Sequence, residues 1–341
     1  MSDRTLICIC AWIVSSVCCH ANIQLTAGTA IHFASPAEGS KILMVRDDFI
    51  HRLSPFDRAA RLKVDRAVSE EEFLTFVVKN VAEWTKEEMR TVQSSVESLR
   101  PLLRAFPLSL PSTIQMIKTT GAEEGNAAYT RGTAIVLPTG ELAKSQEELN
   151  KLICHELFHI LSRHNPELRE RLYEAIGFTR CDEIEFPREL TPRKITNPDA
   201  PRNDHFIRLT DQGQQCLAVP ILLSSAEVYD VKHGGEFFEY LKFQFLVMEK
   251  TSNPGRLKPQ YENSMPKLVG LEEISGFFEQ VGRNTQYIIH PEEILADNFA
   301  LLILGEQKPP SPEILQKMKV ILFRSQRPNQ SLQPTAGRSD E

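Results

Sequence analysis

Three early stretches, Phe56 to Val64, Glu70 to Trp84 and Lys86 to Phe106, carry apolar residues at helical spacing and predict helices. Thr113 to Lys118 reads as a strand. Tyr129 to Leu137 reads as one or two short strands with a bend or bulge at Gly132. Ser145-Gln146-Glu147-Glu148 then forms a capping box, in which Ser145 caps a helix and Glu148 reaches back to it. That helix runs through Leu149, Leu152, Ile153, Leu157, Phe158 and Ile160 and is apolar enough to be buried. Asn165-Pro166 starts another helix, which Gly177 ends. Residues 185–215, rich in Pro, Asn and Asp, predict a loop.

Cys216 to Leu223 and Phe237 to Met248 favour strands, with His233-Gly234-Gly235 as a turn between them. They predict an inserted antiparallel sheet. Leu271 to Val281 predicts a helix, Pro291 to Gly305 a second, and Ser311-Pro312 starts a last one that runs to about Phe323. Residues 22–50 form a mixed arm with a strand expected around Ile42 to Val45. The fold class is α+β.

The predicted helix after the capping box carries His155-Glu156-Leu157-Phe158-His159, an H-E-x-x-H motif. Positions i and i+4 share one helix face, so the two imidazoles can grip one metal ion. Glu156 can reach a water bound to that metal and take its proton. Two surface histidines on an amphipathic helix would give the same letters, but buried polar groups need partners, and a metal supplies them. A catalytic zinc site takes three protein ligands and a water. The extended pattern H-E-x-x-H-x-x-G-x-x-H fails, because Ser162 stands for Gly and Asn165 for His; His164 is one residue out of register.

A better third ligand lies in the helix after Pro291, where Glu293 and Asp297 are four apart and share a face. One carboxylate can bind zinc while the other accepts the free N–H of a metal-bound His. Glu292 and Glu293 also read as ordinary first-turn acids favoured by the helix dipole. Asp182, Glu183 and Glu185 are rival ligands within the intervening segment.

H-E-x-x-H followed by a helical E-x-x-A-D resembles the gluzincin metallopeptidases, which include the thermolysin-like and neprilysin-like enzymes. The resemblance covers two short helices and the strand region before the first. It implies His155, His159 and Glu293 as Zn2+ ligands, Glu156 as general base and Asp297 as the partner of a ligand His. It also implies a zincin-like domain over residues 56–324, with two lobes around the metal helix. An edge strand before that helix would bind the substrate backbone. The gap of 134 residues from His159 to Glu293 exceeds that of the compact gluzincins, so residues 160–290 form a long insertion. For the oxyanion donor the nearest residues are Tyr287 and His290, with Tyr287 chosen on position; Tyr229, His233 and Tyr261 are more remote.

Residues 1–21 read as a secretory signal: Arg4, the short apolar run Leu6 to Cys18, and Cys19-His20-Ala21 ending on a small residue. The mature chain is then expected to be exported, secreted or periplasmic, with a lipid-anchored or uncleaved signal-anchored form as the lesser alternative; it is expected to have an N-terminal arm over 22–55, no stable membrane span and a disordered tail over 325–341. A net charge of −6 offers no basic face, so nucleic acid is not an expected partner. Of seven cysteines, Cys154, Cys181 and Cys216 lie beyond the signal. Cys154 reads as a small hydrophobe, and Cys181 and Cys216 either pair or remain thiols. The expected function is zinc-dependent hydrolysis of a peptide or protein substrate. Two other classes fit the residues: an exported zincin-like binding or structural domain without catalysis, and a zinc amidase with a non-peptide substrate. The intact Glu156 speaks against the first.

Overall fold

The computed structural model describes residues 22–324, so the expected signal over 1–21 and the tail over 325–341 lie outside the described residues. A first sheet is built from β1 (Ile23–Thr26), β2 (Thr29–Phe33), β3 (Val81–Ala82), β4 (Thr113–Thr119), β5 (Tyr129–Arg131) and β6 (Ala134–Pro138). The order is β1-β2-β4-β6-β5, with β3 paired to the end of β4. The pairs β2–β4 and β4–β6 are parallel, whereas β5 runs antiparallel to β6 and forms the edge. Gly132, at φ 59°, turns β5 into β6.

Alternate residues of these strands serve two cores, as a period of two requires. Ile31, Phe33, Ile135 and Leu137 face the main core. Ala34, Ala134 and Val136 face a second core. The second core is closed by α1 (Pro36–Leu43), α2 (Asp48–Arg52), α3 (Pro55–Leu62) and α4 (Glu70–Lys79). The main core takes in α5 (Lys86–Leu103), α6 (Gln146–His164), α7 (Pro166–Ala175), α8 (Phe278–Val281), α9 (Pro291–Leu304) and α10 (Pro312–Arg324).

A second, antiparallel sheet lies in the chain between α7 and α9. It contains β7 (Phe178–Arg180), β8 (His205–Asp211), β9 (Gln214–Ser224), β10 (Leu241–Lys250) and β11 (Leu257–Pro259). The small pair β12 (Tyr261–Glu262) and β13 (Met265–Pro266) follows. β14 (Leu268–Val269) then joins β10, and β15 (Ile274–Ser275) joins β8. Ile207, Leu209, Phe245 and Val247 turn into the main core, while Phe206, Val219, Ile221, Leu246 and Met248 form a core on the far face. The architecture is mixed α+β, with the antiparallel sheet within residues 160–290 as expected. No helix among the described residues is long and apolar enough to cross a membrane.

Several expected elements differ. The strand around Ile42 to Val45 is instead the end of α1, which Pro36 and a Ser35–Glu38 capping box start. The helix expected over Leu271 to Val281 is reduced to α8. Gly276, at φ 88°, breaks it, and Ile274 and Ser275 are paired to β8. The loop over 185–215 contains β8. The arm over 22–55 supplies β1 and β2. Cys181 and Cys216 are free thiols. Burial pushes the Cys154 thiol up to about 12, which fits the reading of a small hydrophobe.

One ionic cluster sits inside this frame. Arg61 of α3 is fully buried and grips Glu124 with two hydrogen bonds, at 2.9 and 2.7 Å, and Asp57 with one at 2.5 Å. Its guanidinium lies 4.1 Å from the centre of the Phe237 ring. A charge so deep is tolerated because it is paired and hydrogen-bonded.

Beside this cluster, burial pushes the Glu123 carboxyl up to about 7, against the lowering influence of the Thr119 hydroxyl. A raised carboxyl binds its proton more tightly in the folded than in the unfolded chain. Its contribution is therefore full below the unfolded value of about 4.3 and is lost as pH rises through 7. Glu123→Gln should stabilise the protein by up to about 3 kcal/mol at pH 8 and by little near pH 4. Thermal unfolding at the two pH values checks this, and an equal effect at both would refute it.

Candidate metal centre

The Ser145–Glu148 capping box is formed and starts α6, and the helix packs against α5, α7 and α9. Glu156 and His159 on α6 are buried, and His155 is nearly so. α9 opposes them. It starts at Pro291 and ends at Gly305, which adopts φ 75°. Glu292 and Glu293 occupy its first turn, where the helix dipole favours carboxylates, and both are buried.

The two helices bring His155, His159 and Glu293 together: one ligand atom from each lies within 4.8 Å of the others. His155 Nδ1 lies 2.9 Å from Asp297 Oδ1, and its Nε2 lies 3.0 Å from Glu293 Oε2. His159 Nδ1 lies 3.1 Å from Glu292 Oε1, and its Nε2 lies 3.5 Å from the same Glu293 Oε2. Each Nδ1 is held by its own carboxylate, so a bound metal ion that replaced the proton on Nε2 would meet two imidazoles already oriented toward one point. His159 Nε2 and Glu156 Oε2 are buried with no hydrogen-bond partner. Such orphaned atoms need a compensating charge or ligand. Two imidazole nitrogens, a carboxylate oxygen and a second carboxylate beside them are a donor set that suits zinc.

Electrostatics follow from this crowding. Burial works against charge on His155, yet Asp297 and Glu293 raise it to about 10. Burial and the nearby Asp199 push Glu156 up to about 8, against the pull of His159 and His155.

Other expected residues take clear places. Tyr287 lines a cleft of about 400 Å³ with His155, Glu156, Asp199, Glu293 and Asp297. Its ring centre is 6.2 Å from that of His155. Among the described residues its hydroxyl has no hydrogen-bond partner. His290 is instead the N-cap of α9: its Nδ1 accepts from the Glu292 N–H at 3.1 Å, and burial lowers it to about 4. That pins the ring away from an oxyanion role. Tyr229 donates to the Gly235 carbonyl, Tyr261 to Glu189, and His233 packs on Tyr240. The rival acids lie elsewhere too, with Glu183 on Arg52 and Glu185 on Arg256, while Asp182 lies beside Gly255. His164 is exposed at the end of α6.

Three site residues escaped the sequence. Glu292 accepts from His159, from Ser162 Oγ at 2.8 Å and from Tyr173 OH at 2.5 Å. The need of the second His for its own carboxylate was a signal that could have found it. Asn197 and Asp199 belong to the segment expected as a plain loop. Asn197 Nδ2 donates to Glu293 Oε1 at 2.6 Å. Asp199 lies close to Glu156 and His159, and its Oδ1 accepts from the Thr130 N–H at 2.8 Å and from the Thr130 hydroxyl. β5 is the edge strand, but the N–H that Thr130 turns outward is thus already bonded.

Glu292→Gln should weaken zinc binding by about 10- to 100-fold while leaving the chain folded, and Asp297→Asn should do the same. Chelator competition against both variants measures this; unchanged affinity in both would remove the role assigned to these carboxylates. Comparison of the chain with family models, with curated proteins and with solved structures found no match.

Proposed function

We propose that the protein is a zinc-dependent hydrolase that cleaves peptide bonds, with a zincin-like centre of the gluzincin kind. The observation that carries this reading is the convergence of the His155 and His159 Nε2 atoms on Glu293 Oε2, each imidazole held at Nδ1 by its own carboxylate, with the Glu156 side chain beside them, its Oε2 buried without a partner. His155, His159 and Glu293 would hold the metal, and Asp297 and Glu292 would orient the two imidazoles. Bound there, zinc supplies Lewis acidity and a water of lowered pKa.

Glu156 takes a proton from the attacking water and returns it to the leaving amine. Its Oε2 is buried without a hydrogen-bond partner and so is free to take that proton. Tyr287, with its free hydroxyl on the cleft wall, donates a hydrogen bond to the oxygen that gains charge. The cleft, at about 400 Å³, admits a few residues of an extended peptide. The exported location expected from residues 1–21 belongs to the same reading.

Glu156→Gln should retain about one zinc per chain and lose about 10²- to 10⁴-fold in hydrolysis of a peptide library. Tyr287→Phe should lose about 10²- to 10³-fold in kcat. Full activity in Glu156→Gln would sink the hydrolase reading. Zinc binding without peptide hydrolysis in the wild type would leave two classes, which small amide substrates separate: turnover means an amidase, and none means a binding domain.

A further inference from the structure

Among the places where the long insertion reaches the candidate metal centre, the segment Thr196–Arg202 is the one that bonds Glu293, through Asn197. Asn197 Nδ2 donates to Glu293 Oε1 at 2.6 Å, while Glu293 Oε2 is the oxygen that faces the two histidines. The amide orientation of Asn197 is settled by its other contact. Its Oδ1 accepts from the Asp199 N–H at 2.9 Å, so only the NH2 group can face Glu293. We propose that Asn197 is a positioning residue that ties up one oxygen of Glu293 and so restricts this carboxylate to single-oxygen ligation of the metal. The inference rests on the metal-centre reading above and deepens it.

The physical need is plain. A carboxylate free to rotate can bind with one oxygen or two, and the second oxygen takes the position a water requires. A short hydrogen bond to Oε1 removes that freedom, and it also satisfies an oxygen that would otherwise be buried alone.

Asn197 can do this only if it is itself held, and three features hold it. Pro198 follows it and restricts its backbone to extended conformations. Thr196 precedes it and is pinned on every polar atom. Its N–H donates to Asp57 Oδ2 at 2.9 Å, its hydroxyl donates to the Arg52 carbonyl at 2.9 Å, and its carbonyl accepts from Arg61 at 3.2 Å. Asp199, two residues on, is bonded to Thr130 of β5. The buried Arg61–Asp57–Glu124 cluster thus anchors the strap whose next residue touches the third ligand.

The test compares wild type, Asn197→Ser and Asn197→Ala by zinc affinity under chelator competition, by the visible spectrum of the cobalt-substituted protein, and by melting of the metal-free protein. Serine retains a hydroxyl that accepts the Asp199 N–H but is too short to reach Glu293. Asn197→Ser should therefore bind zinc about 10- to 100-fold more weakly, with weaker cobalt bands from a higher coordination number, and should melt as the wild type does. Wild-type affinity and spectrum in Asn197→Ser overturn the proposal. So does a loss of affinity matched in both variants by a lower melting temperature, since that reports collapse of the strap. A wild-type chain that takes up no zinc overturns the functional reading itself, and does so before any variant is compared.

Discussion

Two adjacent carboxylates, Glu292 and Glu293, are buried side by side, and the centre is arranged around that fact. Buried charge is tolerated only where partners compensate it. Glu292 draws on His159, Ser162 and Tyr173, and Glu293 draws on His155, His159 and Asn197. The open N–H groups of the α9 terminus add a favourable field. α6 and α9 can therefore pack with an acidic turn facing an imidazole pair, where otherwise they would need apolar contact alone. Leu157, Phe158, Ile294, Leu295 and Phe299 supply that apolar contact around the polar seam and set the distance across it.

What was legible in the sequence follows from how local each signal is. The capping box at Ser145, the i and i+4 histidines, Pro291 and Gly305 are all set within a few residues, and α6 and α9 appear where they were read. Asp297 was legible because it repeats the helical spacing from Glu293. Failures came where tertiary pairing outweighed composition. β8 sits in a stretch that reads as loop because of the Pro and Asn residues before it, and it is fixed by pairing with β7 over His205–Ile207 and with β9 over Ile207–Asp211. Ser35-Pro36 and Glu38 signal a helix start as clearly as Ser145 does, but the apolar letters of Ile42 to Val45 were read as strand. Asn197 and Asp199 had no local signal. Their importance arises from a fold that returns a loop to a site formed by distant residues.

A second buried ion cluster lies away from the candidate metal centre. Arg61, Asp57 and Glu124 lie among Phe49, Phe237 and the backbone of Thr196. Replacing such a cluster with apolar side chains is often neutral for stability, so its presence points to geometry rather than strength. What it fixes is the route of the strap, through donors and acceptors that a packed hydrophobic group could not aim.

The bond between Asp199 and the Thr130 N–H has a further consequence. A sheet edge has one set of outward groups, and here a segment of the same chain already occupies the site on Thr130. Any extended strand that adds at this point of β5 competes with Asp199, and its apparent affinity is reduced by the fraction of time the tether is made. The segment that occupies the edge is also the one that touches Glu293: Asn197 accepts the Asp199 N–H and donates to Glu293 Oε1, so the sheet edge and the buried carboxylate share one seven-residue strap.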